Sequence, residues 1–570
     1  MKKERKMRYV DKPWLKSYQI GPYKNIKHSL KPYPQKPLFK ILDEAAEAHP
    51  NQKAYLYLGQ EVKYSELKLW VDKLATALNN LGLKKSDRVM VFLPNCPQFI
   101  ISDFAVLKIG AVVVPCALNE QVPELKRQAV ESEARAIICL DGFLELVKKI
   151  KKDTKIEYII VTSITDYSPE ESEPQEINGT HNFRRLIANA VANPPVVEIN
   201  PMEDLAILTF TGGTTGFPKG VMTTHFQRMS NILQGLPWMM SPLPGFKGKA
   251  SILVAVPIFH ALGHWVVQSG INWGLRIILI PDPRDIPMIA KLMNEYRPFM
   301  VIAVPEQLRR LIDPKINPTG LQRLQTMIIS GSAELPEKIA ADLEAKIGMP
   351  VSEGYGLTET SPCVTFNISC FSKLTGFLPK KKSGIGVPLP DTEIKLINPE
   401  TGEEVPFGEI GEIWVKGPQV MKGYWPTCGK GLTEDGWLKT GDLAEMDEDG
   451  YFYIVGRDKD MINKKGEKIY PLIVERTLAE HEAVAMAVTI GVPDLEKPGS
   501  EKIKVFVRIK SAFKGKVSEW ELIEFCQDKL PRHAIPDFIE FRDKFPLTKV
   551  EKISRKELRE EEIKKLKEGN

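Results

Sequence analysis

The chain has 570 residues, 43% of them hydrophobic, 26% charged and 8% aromatic, which excludes a disordered or fibrous protein and predicts one large folded unit plus something smaller. Its 78 Lys and Arg against 73 Asp and Glu leave a net charge of +5, too little over this length to imply a nucleic-acid partner. The 7 cysteines are scattered without a Cys-x-x-Cys pair, which points to a reducing cytoplasm and no structural zinc.

The basic N-terminal MKKERKMR lacks the apolar run of a secretory signal, and residues 1–38 are expected to form an N-terminal extension. Between Ser65, a candidate N-cap, and Gly82, apolar side chains at Leu67, Trp70, Val71, Leu74, Leu78 and Leu81 predict an amphipathic helix. Apolar runs follow at Val89–Leu93, Ala111–Val114, Ala136–Leu140, Tyr158–Thr162, Leu205–Phe210, Ile252–Val256, Ile277–Ile280, Phe299–Val304 and Met327–Ser330, most of them separated by helix-like stretches. That alternation predicts parallel sheets covered on both faces, with ligands beyond the carboxyl ends of the strands.

The stretch Val256–Leu275 is poor in charge, yet His260, His264, Gln268, Ser269 and Asn272 within it exclude a transmembrane span. From about Gly384, shorter strands (Glu393–Ile397, Glu412–Lys416, Tyr451–Val455) between Gly and Pro turns predict a β-rich subdomain. A helix near Pro471–Glu480, strands near Val484–Ile490 and Lys504–Ile509, a helix near Ser518–Leu530 and a basic helix after Ser554 complete the chain. The expected fold class is α/β. A large N-terminal domain over 39–457 has parallel-rich sheets covered by helices and a β-rich subdomain at 384–457; a small mobile α+β C-terminal domain covers 458–570.

The strand Leu205–Phe210 runs into Thr211-Gly212-Gly213-Thr214-Thr215-Gly216-Phe217-Pro218-Lys219-Gly220. Its glycines, threonine hydroxyls and lysine suit a loop that surrounds a polyphosphate. Pro218 stands where a Walker loop has glycine, so it is not that motif. The segment TGGTTGFPKG resembles the phosphate loop of the adenylate-forming superfamily of acyl-CoA synthetases, aryl-CoA ligases, luciferases and peptide-synthetase adenylation domains. The resemblance continues in order through PIFHALG, EGYGLTET, GEIWVKGPQVMKGYW, KTGD, GRDKDMINKKGEKI and LPRHAIPDFIEF, and so covers about residues 40 to 558. Lys12–Tyr18 (KPWLKSY) and TSPCVTFN after the tyrosine motif are most similar to the long-chain fatty-acid–CoA ligases.

That resemblance implies a cytoplasmic ligase that uses ATP, Mg²⁺ and CoA to convert a small-molecule carboxylic acid, first an acyl-AMP and then a thioester. A medium- or long-chain fatty acid is the first choice; an aryl or branched acid, or loading of a separate carrier protein, are the alternatives. A binding protein that keeps the fold without turnover is the rival from another class. A homodimer and peripheral membrane contact stay open.

It also implies roles. Thr211, Gly212, Gly213, Thr214, Thr215, Gly216 and Lys219 would hold the phosphates, Thr358 the α-phosphate, and Glu359 the Mg²⁺. Tyr355 with Gly356 would face adenine, opposite Ser332, Ala333 and Glu334. Asp442 and Arg457 would bind the ribose, and His260 would border the acyl carboxylate. His264 lies where some long-chain relatives have an aromatic gate to the acyl tunnel. Lys552 would reach the reacting groups during adenylation, with Lys549 and Lys556 as competing candidates because Glu551 replaces the family's glycine. Lys459 would be the hinge about which the C-terminal domain turns, and Gly466 would then approach the pantetheine channel, although a plain hairpin turn is an alternative for it.

Overall fold

A computed structural model describes residues 8–18, 27–170, 173–174, 176–211, 218–235, 238, 244–318, 320–321, 324, 326–368, 383–546 and 553–568. By internal contacts the chain forms two units. One is Lys12–Glu393 with Val415–Leu438; the other is Ile394–Trp414 and Lys439–Asn570 with the N-terminal residues up to Asp11.

The first unit holds two large sheets. The eight-stranded one runs Gly423–Tyr424, Lys219–Thr224, Leu205–Thr211, Val112–Pro115, Arg88–Phe92, Ala136–Leu140, Tyr158–Thr162 and His181–Asn182. It is parallel from Leu205–Thr211 onward and antiparallel at the Lys219–Thr224 edge. The nine-stranded one runs Val387–Pro388, Cys363–Phe366, Val351–Gly356, Met327–Ser330, Met300–Ala303, Ser251–Val254, Arg276–Leu279, Lys53–Tyr57 and Gln60–Lys63. Its middle strands are parallel and its outer pairs antiparallel. The uninterrupted Val and Ile runs are buried throughout, as strands covered on both faces require.

The predicted strands recur, most within a residue or two and Val484–Pro493 and Glu501–Ile509 each three residues longer than expected, and the α/β class holds. The amphipathic helix spans Tyr64–Asn80 and is capped from Lys63, with Glu66 accepting the Lys63 N–H, so Ser65 lies in the first turn rather than at the cap. Within Val256–Leu275 the helix is only Ala261–Asn272, and among the described residues no helix is long and apolar enough to cross a membrane.

In the second unit a four-stranded sheet orders Glu393–Ile397, Gly411–Lys416, Leu438–Met446 and Phe452–Arg457. A three-stranded sheet of Val484–Pro493, Glu501–Ile509 and Phe538–Phe541 packs on Pro471–Ala479 and Glu519–Gln527. Helix Arg555–Glu568 adds Leu558 to the Val488, Ile490 and Phe506 cluster.

Candidate active site

In the first unit the candidate residues collect at the carboxyl ends of parallel strands, as such sheets favour. Thr211 and Lys219 face each other across the antiparallel ladder, and the Thr211 hydroxyl donates to the Lys219 carbonyl at 3.4 Å. The hairpin ends are therefore fixed, while Gly212, Gly213, Thr214, Thr215 and Gly216 lie outside the described residues. Gly220, next to Lys219, is closely packed: a Cβ would stand 3.1 Å from Leu208 and 3.2 Å from Trp425, so those side chains would have to give way slightly.

Strand Val351–Gly356 delivers Tyr355 and turns into the short 3-10 helix Thr358–Thr360. A Cβ on Gly356 would meet the Pro362 carbonyl at 1.8 Å, so only glycine lets the chain double back here. The returning strand is secured from outside. Arg228 donates to the Ser361 carbonyl at 2.8 Å, and Asn231 exchanges bonds with Cys363 at 2.8 and 3.0 Å. The Met421 N–H donates to the Glu359 carbonyl, also at 2.8 Å.

The Glu359 carboxylate accepts the Tyr424 hydroxyl at 2.8 Å, and the Lys219 ammonium lies 4.9 Å from the centroid of the same Tyr424 ring. Burial first, then the Glu359 charge and hydrogen bond, holds the Tyr424 phenol above its ordinary value, so it stays a donor. Lys219, Tyr424 and Glu359 thus form one cluster. Among the described residues no group of three or more His, Cys, Asp or Glu could hold a metal ion.

Ser330, Gly331, Ser332, Gly354, Tyr355 and Gly356 line one cavity. The rest of its lining is mostly apolar, with Ile252, Leu262, Trp265, Val266, Met300, Ile302, Ile329 and Phe366 beside Ser269 and Thr365. Ala333 and Glu334 follow Ser332 without lining it, and His260 precedes helix Ala261–Asn272 with its ring 4.5 Å from Phe259. His264 does not line the cavity. It is buried against Asp103 at 2.9 Å and Gln268 at 3.0 Å, and Gln268 accepts from Arg228 at 2.7 Å. The large ring facing the cavity is instead its neighbour Trp265, which fills the space beside Gly235. Burial pushes the Arg228 guanidinium down to about 10, still charged at neutral pH.

In the second unit Asp442 is buried, and the Arg457 Nε pairs with it at 2.8 Å across the ladder. The strand just before Asp442 is held by Thr440 donating to the Ile413 carbonyl at 2.8 Å and by Glu412 accepting the Gly441 N–H at 2.9 Å. Lys459 is the middle residue of the 3-10 turn Asp458–Asp460; burial, then the Arg457 charge, lowers its ammonium below the ordinary value. Gly466 turns the hairpin Ile462–Lys464/Glu467–Ile469 at φ +89, after Lys465 at φ +58, and its Cβ position is open. Lys552 and Lys549 lie outside the described residues; Lys556 begins the last helix, 3.8 Å from Glu560.

Tyr424, Arg228, Gly235 and Trp265 carry no role in the sequence reading. Tyr424 stands within GPQVMKGYW, where nothing local pairs it with a glutamate 65 positions away. Trp265 adjoins the histidine that the family position singles out.

Comparison with known proteins gives a match to the AMP-binding enzyme family over residues 42–425 and to the AMP-binding enzyme C-terminal domain over 473–552. A long-chain-fatty-acid–CoA ligase of Bacillus subtilis (strain 168) is 36% identical, over 97% of this chain and 98% of its own. One from Yersinia pestis is 32% identical over 97% and 99%. The solved structure of ATP-bound MatB from Rhodopseudomonas palustris superposes with a TM-score of 0.80 at 26% identity, covering 93% of this chain and 99% of that one.

Proposed function

The chain belongs to the AMP-binding enzyme family, and from that premise we propose that it is an AMP-forming acid–CoA ligase acting on medium- or long-chain fatty acids. A carboxylate is a poor electrophile. Its oxygen therefore attacks the α-phosphorus of ATP, expelling pyrophosphate and leaving acyl-AMP; the CoA thiol then attacks the acyl carbon, forms the thioester and expels AMP. Negative charge grows on the phosphate oxygens in the first step, so fixed cations and N–H donors do most of the work.

Lys219, Thr211, Thr214, Thr215 and the loop glycines bind the β- and γ-phosphates, and Thr358 orients the α-phosphate. Tyr355, Gly356 and Ser332 flank adenine, Asp442 and Arg457 take the ribose hydroxyls, and His260 borders the acyl carboxylate. A Mg²⁺ ion on Glu359 would neutralise phosphate charge, and the arrangement fits it: a hard carboxylate with one oxygen bonded to Tyr424, beside the phosphate-loop lysine. Lys552 serves adenylation, Gly466 serves thioester formation, and Lys459 is the hinge between a domain at 39–457 and one at 458–570.

The observation that carries the fatty-acid reading is the mostly apolar lining of the cavity beside Tyr355, which offers an acyl chain Ile, Val, Met, Phe and Trp side chains and, among the described residues, no cation. The test is exchange of labelled pyrophosphate into ATP across a panel of carboxylic acids, followed by a CoA-thioester assay. Fatty acids should support both. Exchange without thioester would redirect the reading to a carrier-protein acceptor, and benzoates outrunning every aliphatic acid would redirect it to an aryl ligase.

A further inference from the structure

One side chain touches both the glutamate assigned to Mg²⁺ and the lysine assigned to the phosphates. Tyr424 donates its hydroxyl to Glu359 Oε1 at 2.8 Å and presents its ring to the Lys219 ammonium at 4.9 Å. Its own place is fixed three ways. It pairs with Val221 in the ladder beside the phosphate-loop hairpin, and its N–H donates to the Lys430 carbonyl at 2.9 Å. Its ring fills space that a side chain on Gly431 would take, since a Cβ there would lie 2.4 Å from Tyr424 Cε2.

We propose that Tyr424 is a positioning residue for adenylation, setting the Glu359 carboxylate to receive the divalent cation and seating the Lys219 ammonium beside it. This rests on the assignment of Glu359 to Mg²⁺. A glutamate has three rotatable side-chain bonds, and ordering it costs entropy each time a cation binds. A fixed phenol donor on one oxygen removes much of that freedom beforehand and, being neutral, leaves the carboxylate its charge. Partners in the outer shell of a metal site act in this way, and their loss typically weakens metal affinity about tenfold or more. The ring supplies the second half, because an ammonium within about 6 Å of an aromatic face is attracted to it.

The two contacts can be separated by substitution. Tyr424→Phe deletes the hydroxyl and keeps the ring; Tyr424→Leu deletes both. The measurement is binding of a fluorescent N-methylanthraniloyl ATP, with Mg²⁺ and with EDTA, which needs no turnover. The quantity read is the ratio of the two affinities. Tyr424→Phe should cut the Mg²⁺-linked tightening about tenfold and leave the EDTA affinity at the wild-type value. Tyr424→Leu should lose the tightening and also bind more weakly in EDTA, through Lys219. A merely structural role would lower both affinities of Tyr424→Phe together and overturn the proposal, as would a wild-type ratio. Glu359→Gln separates this from the parent reading. If it keeps the wild-type ratio, the metal assignment falls and this inference with it; if it loses the ratio while Tyr424→Phe keeps it, only the inference falls.

Discussion

Acyl length is the sharpest handle on the cavity beside Tyr355. Each methylene buried there should contribute about 0.8 kcal/mol, or roughly fourfold in kcat/KM at subsaturating acid. Four methylenes, from hexanoate to decanoate, therefore give about 3 kcal/mol, on the order of 200-fold. The rise should stop where the chain reaches the far wall. Gly235 and Trp265 let that limit be moved both ways. In Gly235→Ala the new Cβ would stand 2.0 Å from Trp265 Cζ2 and 2.7 Å from Cη2, closer than atoms pack, so the indole must shift within a space that an acyl chain would otherwise fill. Trp265→Ala removes the ring altogether. We expect the plateau at shorter acids in the first variant and at longer acids in the second. The assay is initial-rate thioester formation from butanoate to palmitate, with thermal melting to confirm folding. A flat profile in the wild-type enzyme, or two variants that fold and leave the plateau unmoved, would refute the assignment of this cavity to the acyl chain.

Lys219→Ala should lower acyl-AMP formation by about 10²–10³-fold with melting unchanged, because a preorganised charge opposite the phosphates is lost; pyrophosphate exchange reads this directly. Lys459→Pro, which fixes φ and deletes an N–H, should leave pyrophosphate exchange near normal and slow thioester formation from supplied acyl-AMP. Lys552→Ala should show the reverse pattern, and equal failure of both variants in both half-reactions would refute the division of roles. A stability prediction concerns His225, buried with its Nδ1 accepting the Leu38 N–H at 3.0 Å, where burial lowers its value from 6.5 to about 4. The folded state then binds fewer protons than the unfolded one, so this contribution is whole above about pH 6.5 and falls by on the order of 3 kcal/mol as pH drops towards 4. His225→Gln should flatten the change in melting temperature between pH 7 and pH 5; an unaltered slope would place the acid sensitivity elsewhere.

Strands buried on both faces were legible because their Val and Ile runs have no other use, and Ala136–Leu140, Tyr158–Thr162 and Met327–Ser330 recur with the same limits. Short antiparallel additions were not. Cys363–Phe366 and Lys219–Thr224 carry mixed residues, and their pairing is set by the Gly356 reversal and the phosphate-loop hairpin rather than by alternation. The candidate adenylation residues were named from motifs, and motif reading is local. It could name Glu359 and Lys219 but not the tyrosine between them, which depends on a strand returning to the sheet edge. At His264 it noted only a histidine where some long-chain relatives have an aromatic gate; that imidazole lies against Asp103, and the neighbouring Trp265 lines the cavity.

Helix His225–Gln234 has one further consequence. Arg228 and Asn231 on it grip Ser361 and Cys363, Gln234 donates to the Pro390 carbonyl at 2.6 Å, and Gly235 at its end borders the cavity proposed for the acyl chain. Every third residue of one short rod thus anchors a different part of the site, so shifting the rod by a fraction of an ångström alters fatty-acid fit and the placement of Glu359 together. Attempts to broaden acyl scope by substitutions along this helix should therefore change adenylation chemistry as well.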